Sequence, residues 1–309
     1  MITFESLNDF ESFPNIFLTI GNYDGMHIGH RKIIEIVKKK ALEVSGTSML
    51  MTLNPHPMSI LKPDSHLGLI VPVNVKKKLI EDSGIDVLLL LPFTDQFRMM
   101  EPEEFVGNIL IKKLGIKGLV VGYDFRFGKN GKGNTDTLKK LSAVYDFSFE
   151  VMDAVAFKNE KIGSNKIRIL IMEGDVKKAG IFLNRPFMIT GRVSRGYGRG
   201  GNIGFPTVNI ETEFEIIPKN GVYISEVEIN GIKYGSVTNI GYNPTFNNKE
   251  KSIETYILNF SDNLYGKELS LYFHERIREE IKFNSVDELK QRINMDVQAA
   301  VSYFEMQDR

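Results

Sequence analysis

The chain has no cysteine among its 309 residues. This absence excludes a disulfide framework, a thiolate nucleophile, and zinc or iron–sulfur sites built on cysteine. The sequence also has no excess of charge, because 39 basic residues balance 39 acidic ones. A neutral chain has no long-range field to attract nucleic acid or an anionic membrane, so any phosphate chemistry must depend on local groups.

Long hydrophobic runs are absent as well. The longest, VLLLL at 87–91, falls far short of the roughly 20 residues that span a membrane. The N-terminal residues MITFESLNDFESF are acidic and lack the basic and then apolar layout of a signal peptide. We therefore expect a cytoplasmic protein with no membrane partner. Its length exceeds a typical domain of about 100–200 residues, which favours two domains.

The first half of the sequence, residues 1–183, alternates apolar strand-like runs with helical stretches such as 30–44 and 101–115. Continuous apolar strands separated by helices indicate a buried parallel sheet. We therefore predict an α/β domain with an open parallel sheet over this half. The predicted strands are Ile16–Ile20, Ser48–Leu53, Val87–Leu91, Leu119–Gly122 and Phe147–Met152.

The second half, residues 184–309, has a different texture, with glycine-rich loops followed by VEINGIKYG. There Val227 and Ile229 alternate with acidic residues ahead of an Asn-Gly pair, which is a strong hairpin signal. The half therefore predicts a separate domain, a small antiparallel β-barrel with a terminal helix. Its further predicted elements are strands at Glu254–Leu258 and Leu269–Phe273 and a helix from about Val286.

Two glycine-rich stretches imitate nucleotide-binding loops without meeting their requirements. GYGRGG at 196–201 has G-x-G-x-x-G spacing, but a Rossmann loop opens a helix, and Gly204 and Pro206 forbid a helix here. GKNGKGNT at 128–135 resembles a Walker A loop, yet Asn-Thr stands where Lys and Ser or Thr are required. We interpret both as loops whose backbone amides can still face an anion.

The stretch GNYDGMHIGHRK at 21–32 follows the first predicted strand and leads into the first helix. In an open α/β sheet, ligands bind at the carboxyl ends of strands, where a helix N-terminus offers free N–H groups to phosphate. His27 and His30 add donors that are neutral or charged near pH 7. The glycines that let the backbone approach a ligand are Gly21, Gly25 and Gly29. This combination favours transfer chemistry at a phosphate.

Two other interpretations of this stretch stay open. It is also compatible with a plain glycine turn that carries two surface histidines. A metal-binding histidine pair is the third interpretation, although no cysteine and no obvious third ligand stands nearby.

At this point a family resemblance emerges. TIGNYDGMHIGH resembles the HxGH signature of the nucleotidylyltransferase superfamily. With NPHP at 54–57, GYDFRFGKNGKGN at 122–134 and IGSNKIR at 162–168, it is similar to the adenylyltransferase half of the bacterial bifunctional riboflavin kinase/FAD synthetase family. The second half resembles the kinase half of that family. The motifs are GRGGNIGFPTVN at 198–209, VTNIGYNPTF at 237–246, IETYILNF at 253–260 and IREEIKF at 277–283.

For residues 1–183 the resemblance implies an FMN adenylyltransferase (FAD synthetase) domain. The FMN phosphate would attack the α-phosphorus of ATP and release pyrophosphate. His27 and His30 would stabilise charge on the phosphoryl oxygens. The motif also implies that Asp24 and the three glycines contact the nucleotide.

The resemblance implies further contacts later in the same half. Ser164 and Arg168 would bind phosphate, since an arginine fork matches phosphate oxygens. In this motif Gly163-Ser164-Asn165 replaces the usual Ser-Ser-Thr, so one hydroxyl is lost and another becomes an amide. The residues implied at the nucleotide or flavin are Asp124, Phe125 and Arg126. Ordinary packing of an aromatic side chain is the alternative for Phe125.

For residues 184–309 the resemblance implies a riboflavin kinase domain that uses ATP and Mg²⁺. Thr207 and Asn209 would bind magnesium and phosphates, because Mg²⁺ prefers hard oxygen ligands. Glu254 would be the general base. The loop Gly196–Gly204, including Gly198, would lie over the phosphates. Arg278 would sit in a mobile loop beside the flavin, with a solvated surface charge as its alternative.

Two alternatives to a bifunctional enzyme stay open. One is a riboflavin kinase whose adenylyltransferase half is weak or inactive. The other, from a different class, is a nucleotide-sensing RNA-binding protein, because GRGG-type loops on small barrels occur in such modules. The neutral charge and the lack of a basic stripe with interleaved aromatics argue against RNA and favour small-molecule partners: ATP, riboflavin and FMN.

Overall fold

A computed structural model describes residues 1–61, 68–194, 203–242 and 251–307. The chain forms two compact units. The first comprises Met1–Gly68 and Val73–Gly163, and the second comprises Leu69–Pro72 and Ser164–Arg309. The predicted boundary after residue 183 stays a prediction about function, because compactness alone does not show which residues each activity needs.

The first unit contains a six-stranded sheet in which all strands are parallel. The strands lie in the order β1-β4-β3-β2-β5-β6. The prediction of an open parallel sheet is therefore confirmed. The sequence analysis missed β1, a three-residue strand at the sheet edge. The strands are β1 (Ile2–Phe4), β2 (Ile16–Ile20), β3 (Thr47–Asn54), β4 (Val87–Pro92), β5 (Gly118–Gly122) and β6 (Ser148–Met152).

The connections between these strands are mostly helical. In α1 the apolar residues Ile33, Ile34, Val37 and Ala41 recur at helical spacing, and all four are buried. The helices are α1 (Ile28–Glu43), α2 (Pro57–Leu61), α3 (Val73–Glu81), α4 (Asp95–Arg98), α5 (Pro102–Glu104) continuing as a π-helix (Phe105–Lys113), and α6 (Thr135–Tyr145). A small hairpin of β7 (Ala156–Phe157) and β8 (Glu160–Lys161) completes the unit.

The second unit is a closed six-stranded antiparallel barrel with a terminal helix, as predicted. The strands follow one another around the barrel as β10-β13-β12-β11-β14-β9. They are β9 (Phe187–Ser194), β10 (Val208–Glu211), β11 (Gly221–Ile229), β12 (Ile232–Tyr242), β13 (Lys251–Ile257) and β14 (Glu268–Arg278). The helices are α7 (Ser164–Glu173), α8 (Val176–Leu183) and α9 (Val286–Gln307).

The predicted hairpin joins β11 to β12. Ile229 pairs with Ile232 across the turn, and Asn230 and Gly231 both adopt positive φ, at 52° and 80°. This is the two-residue turn that an Asn-Gly pair favours. Val227 and Ile229 are buried, so the alternation in the sequence reported the inward face correctly.

Helix α8 packs against β9 and β14 of the barrel. Its apolar face is fully enclosed, because Val176, Ala179, Phe182 and Leu183 are all buried. Helices α7 and α8 therefore belong structurally with the barrel, although they precede residue 184. Over the described ranges, no helix combines the length and the apolar character needed to cross a bilayer.

Candidate active sites

Three loops of the first unit meet at one edge of its sheet. Strands β3, β2 and β5 are neighbours and run parallel, so their carboxyl ends lie at the same edge. Residues 55–57 follow β3, the turn 21–27 follows β2, and residues 123–128 follow β5. These are three of the stretches that carry the family resemblance. The fold therefore brings them together where open α/β sheets bind ligands.

Most residues of the turn 21–27 are buried. Its backbone takes left-handed conformations at Tyr23, Gly25 and Met26. The Tyr23 hydroxyl shares a hydrogen bond of 2.5 Å with the Thr19 hydroxyl on β2, and the Tyr23 and Met26 side chains are almost fully enclosed. Such left-handed non-glycine residues persist only where surrounding contacts fix them. Burial raises the pKa of Tyr23 above its ordinary value, so its hydroxyl stays protonated.

His27 and His30 stack against each other at the start of α1. His27 is the N-cap, and its Nδ1 accepts a hydrogen bond from the His30 backbone N–H at 3.3 Å. The two rings lie 3.6 Å apart, with their planes 15° from parallel. Gly29 leaves room for this packing, because a Cβ there would stand in tight contact, 3.1 Å from the His27 ring. The Nε2–H of His27 is thereby left as its donor, since Nδ1 accepts.

The electrostatics of the pair favour the neutral state of both rings. Burial lowers the pKa of His27 to about 4. Burial lowers the pKa of His30 well below its ordinary value, and the nearby His27 and Lys76 lower it further. Of the two charge states that the sequence left open near pH 7, the structure favours neutral donors. The buried Nδ1 of His30 has no hydrogen-bond partner within the described part of the chain. An unsatisfied buried nitrogen is costly, which suits a site whose ligand supplies the partner.

The depressed pKa of His27 predicts an acid-sensitive first unit. In the folded chain this pKa is about 4, against 6.5 when unfolded, so the unfolded state binds more protons between these values. The stability that His27 contributes is complete above pH 6.5 and is lost as the pH falls toward 4. The expected loss is about 2 kcal/mol between pH 7 and pH 5. Calorimetric unfolding at both pH values, on the parent and on His27→Gln, measures it. An equal decline in the two proteins would contradict the assignment.

Lys76 is a buried lysine that the sequence analysis missed. It lies on α3 and is 7% exposed. Its Nζ is 3.4 Å from the carbonyl oxygen of Asn22 in the turn and 3.5 Å from the hydroxyl of Thr52 near the end of β3. Burial lowers its pKa, and the carboxylate of Asp24, itself buried, opposes that shift. The signal was available in the sequence, because Lys76 shares a helical face with Leu79 and Ile80.

The segment after β5 presents charged side chains to solvent. Asp124 and Arg126 are exposed, whereas Phe125 is half-buried and stacks on Phe127 with ring centroids 5.7 Å apart. Phe127 in turn packs against Phe105 in the core. The packing interpretation of Phe125 therefore describes its position in this structure, and its contact with a nucleotide or flavin stays a prediction.

Ser164 and Arg168 lie on α7, in the second unit. Arg168 is buried, and its Nη1 donates a hydrogen bond of 2.7 Å to the Oδ1 of Asn165. Asn165 is one of the residues that depart from the usual family motif. The substituted amide thus holds the arginine one turn along the same helix. No side-chain contact among the described residues requires glycine at position 163, because a Cβ there would meet none of their atoms within 4 Å.

The barrel brings Asn209 and Glu254 directly opposite each other on adjacent strands. Asn209 of β10 pairs with Glu254 of β13, which pairs on its other side with Asn239 of β12. Cross-strand partners point to the same face of a sheet. The three side chains therefore form one row across the outer face, and each is half-buried. Thr207 precedes β10 and is also half-buried. Sequence analysis missed Asn239, because its place depends on strand register.

The opposite face of the same strands carries a chain of buried hydroxyls. Ser225 shares hydrogen bonds with Ser236 at 2.8 Å and with Thr238 at 2.7 Å, and Thr238 shares one with Thr255 at 2.9 Å. All four side chains are fully enclosed. Because Thr255 points inward, its neighbour Glu254 points outward. These hydrogen bonds join β11, β12 and β13, and the last of these strands carries the predicted base, Glu254.

The glycine loop before β10 lies partly outside the described residues. Gly198 falls there, so its predicted contact stays a prediction. Gly204 is described, is exposed and adopts a φ of 89°. A turn at Gly204 leads into strand β10, so the predicted absence of a helix is confirmed for residues 203–211, while GYGRGG itself lies outside the described residues.

The predicted loop position of Arg278 is wrong. Arg278 is the last residue of β14, and its guanidinium forms a bidentate ion pair with the buried carboxylate of Asp296 on α9. Its Nη1 donates to the carbonyl oxygen of Glu279. Arg278 is held at the end of the strand by this ion pair, because a desolvated arginine requires an anionic partner. The loop that the sequence suggested begins only after this residue.

Comparison with known proteins finds a separate family match for each half of the chain. Residues 10–166 match the family model described as FAD synthetase, and residues 183–304 match the one described as riboflavin kinase. A bifunctional riboflavin kinase/FMN adenylyltransferase of Bacillus subtilis is 37% identical over 93% of this chain and 92% of its own. One so named from Escherichia coli is 32% identical, covering 93% of this chain and 92% of the relative.

A solved structure also matches along nearly the whole chain. A protein of Streptococcus pneumoniae, described as a macrolide-efflux protein, aligns with a TM-score of 0.89 and 30% identity. The alignment covers 97% of this chain and 98% of that one. It shows that the complete two-part fold recurs elsewhere.

Proposed function

This chain belongs to the bifunctional riboflavin kinase/FMN adenylyltransferase family, and from that premise we propose which of its residues perform the two reactions. The enzyme phosphorylates riboflavin with ATP to give FMN, and it adenylylates FMN to give FAD. The second unit carries the kinase family match and the first carries most of the FAD synthetase match.

For adenylyl transfer we assign the chemistry to the stacked histidines at the start of α1. A phosphate oxygen of FMN forms a bond to the α-phosphorus of ATP, while the bond from that phosphorus to the bridging oxygen of pyrophosphate breaks. Negative charge shifts onto the bridging oxygen during this step. Neutral His27 and His30 then act as hydrogen-bond donors to the phosphoryl oxygens, together with the free N–H groups of the helix. The observation that carries the assignment is the 3.6 Å ring stack on a helix N-terminus at the sheet edge.

For riboflavin phosphorylation we assign the role of base to Glu254. Its carboxylate takes the proton from the terminal ribityl hydroxyl as the hydroxyl oxygen forms a bond to the γ-phosphorus of ATP, and ADP leaves. Asn209, opposite Glu254 on the next strand, holds the phosphates within reach of that hydroxyl. The cross-strand pairing of these two residues is the observation that supports the kinase assignment.

A magnesium ion fits the oxygen donors beside Glu254. The hydroxyl of Thr207 and the amide oxygen of Asn209 are hard ligands, and both residues are half-buried. When bound, Mg²⁺ neutralises charge on the ATP phosphates. Thr207 and Asn209 would hold it, while Glu254 stays available to the hydroxyl proton.

The remaining predicted contacts complete the proposal. Asp24, Gly21, Gly25 and Gly29 are proposed to contact the nucleotide. Ser164 and Arg168 are proposed to bind phosphate. Gly198 and Gly204 cover the phosphates in the kinase site. Asp124, Phe125 and Arg126 are the proposed nucleotide or flavin contacts of the adenylyltransferase. Arg278 is the proposed flavin contact of the kinase, while it stays paired with Asp296. The proposed partners are these small molecules, and the proposed location is the cytoplasm.

A product time course tests the assignment of both reactions. The purified protein is incubated with riboflavin, ATP and Mg²⁺, and flavins are separated chromatographically. We expect FMN to appear first and FAD to follow, because one site makes the substrate of the other. FMN without FAD would indicate a working kinase with an inactive adenylyltransferase half. The absence of FMN would contradict the proposal as a whole.

A further inference from the structure

A buried ammonium group lies beneath the turn that carries the stacked histidines. Lys76 is 93% enclosed, yet its two contacts with neutral oxygens, at Asn22 and Thr52, are long, at 3.4 and 3.5 Å. Thr52 donates its own hydroxyl to the same Asn22 carbonyl at 3.2 Å. The ammonium therefore connects helix α3, the turn after β2 and the end of β3. A lysine ammonium loses its hydration on burial, and contacts this long compensate for little of that cost.

The adenylyl-transfer site needs positive charge that its histidines do not supply. Both rings are neutral near pH 7, because burial lowers the pKa of each. Neutral imidazoles donate hydrogen bonds but carry no net charge, whereas the triphosphate of ATP brings several negative charges. Lys76 is close enough to His30 to affect its titration, and close enough to Asp24 to be attracted by it. It is a cationic side chain already fixed beside the reacting groups.

We propose that Lys76 is a positioning residue for adenylyl transfer: its buried ammonium anchors the 21–27 turn to the end of β3 and places a fixed positive charge beside the stacked histidines. This inference rests on the adenylyl-transfer assignment above. It goes beyond the HxGH motif, because it adds a residue from a different helix to the site. The charge favours phosphate binding at the turn and keeps His30 a neutral donor.

Two substitutions separate the charge of Lys76 from its bulk. Lys76→Met keeps an unbranched chain but removes the charge, whereas Lys76→Arg keeps the charge. We expect Lys76→Met to lower kcat for FAD formation from FMN and ATP by about ten- to a hundredfold. This is smaller than the about 10²–10³-fold cost of losing a direct donor. Lys76→Arg should recover at least part of that loss.

A matched control lies on the same helix. Lys78 is exposed and pairs with Asp82 on the surface, so Lys78→Met removes one charge from α3 without touching the turn. It should form FAD at the parental rate. Riboflavin phosphorylation by the Lys76 variants, measured in the same samples, should stay within about twofold of the parent, which shows that the second unit is intact. An unchanged thermal transition shows that the first unit, which contains Lys76, is folded.

The pH dependence of kcat for FAD formation distinguishes a role of the Lys76 charge from a role in packing alone. The titratable groups that interact with His30 in the described structure are His27 at the cap of its helix, Tyr23 from the turn and Lys76 from α3, and Asp24 interacts in turn with Lys76. Loss of the Lys76 charge removes one cause that depresses the pKa of His30. The acid limb of the kcat profile for FAD formation should therefore move to higher pH in Lys76→Met. The titration of FMN itself is the same in both enzymes and cancels.

Each outcome decides the question. A slower Lys76→Met with a shifted acid limb and rescue by Lys76→Arg supports the proposal. A Lys76→Met enzyme within about twofold of the parent overturns it. Equal loss in both variants with an unmoved acid limb also overturns it, because the residue is then only a packing element. If the parent itself makes no FAD, the adenylyl-transfer assignment fails instead.

Discussion

A Glu254→Gln enzyme is expected to form FMN about 10²–10⁴ times more slowly than the parent, because glutamine keeps the shape of the side chain but cannot accept the hydroxyl proton. The cross-strand pairing of Glu254 with Asn209 fixes the position of the side chain, so the substitution should change chemistry and not placement. The rate is measured as FMN formed from riboflavin and Mg·ATP. The same variant, given FMN and ATP, should still make FAD at close to the parental rate.

The control for this substitution lies two residues beyond Asn209. Glu211 is exposed on β10, the strand that carries Asn209. Glu211→Gln therefore removes a nearby carboxylate that is not part of the row formed by Asn209, Glu254 and Asn239. We expect Glu211→Gln to phosphorylate riboflavin normally. Unchanged kinase activity in Glu254→Gln would refute the assigned base. Loss of both activities, with an unchanged thermal transition, would mean that the two reactions are not independent.

Replacing either stacked histidine is expected to reduce FAD formation from FMN by about 10²–10³-fold, the range found when one donor to a developing oxyanion is removed. His27→Ala also removes the acceptor for the His30 backbone N–H and loosens the first turn of α1. His30→Ala leaves that cap in place, so it is the cleaner test of a donor. Steady-state rates with saturating FMN and ATP measure the effect.

A histidine in the second unit provides the comparison. The Nε2 of His274 on β14 forms a hydrogen bond of 2.8 Å with the Oε2 of Glu226 on β11. His274→Ala should leave FAD formation from FMN unchanged. The two N-terminal variants should keep riboflavin phosphorylation. If His30→Ala made FAD at near the parental rate with an unaltered thermal transition, the histidines would be bystanders of a plain glycine turn. That result would restore the simplest interpretation of the motif.

The sequence predicted most strongly where local pattern determines structure. Strand β2 matches its predicted bounds residue for residue, because five consecutive apolar or small residues between turns leave little choice. The Asn-Gly turn was equally clear. Strand β1 was not predicted, since Ile2–Phe4 is too short for any periodicity and forms only by pairing with β4.

The site was less predictable wherever it depended on distant partners. Among the three consecutive lysines Lys76 to Lys78, helical spacing places the first on the face of Leu79 and Ile80, but only packing shows that its ammonium contacts the turn after β2. Arg278 was placed in a loop because its partner, Asp296, lies on a helix whose docking no local pattern reveals. Conversely, the opposition of Asn209 and Glu254 followed once the strands formed a barrel with the correct register.

The packing of α8 on the barrel matters for anyone who wishes to separate the two activities genetically. The two family matches leave residues 167–182 between them, so that stretch resembles a linker that could be removed. A gene cut just before Asn184 would delete a helix whose Phe182 and Leu183 are wholly enclosed against β9 and β14. The shortened kinase would expose that apolar surface and tend to aggregate in the cell. A kinase fragment that keeps this surface covered begins instead at Ser164, the first residue of α7, whereas an adenylyltransferase fragment must also retain Ser164 and Arg168.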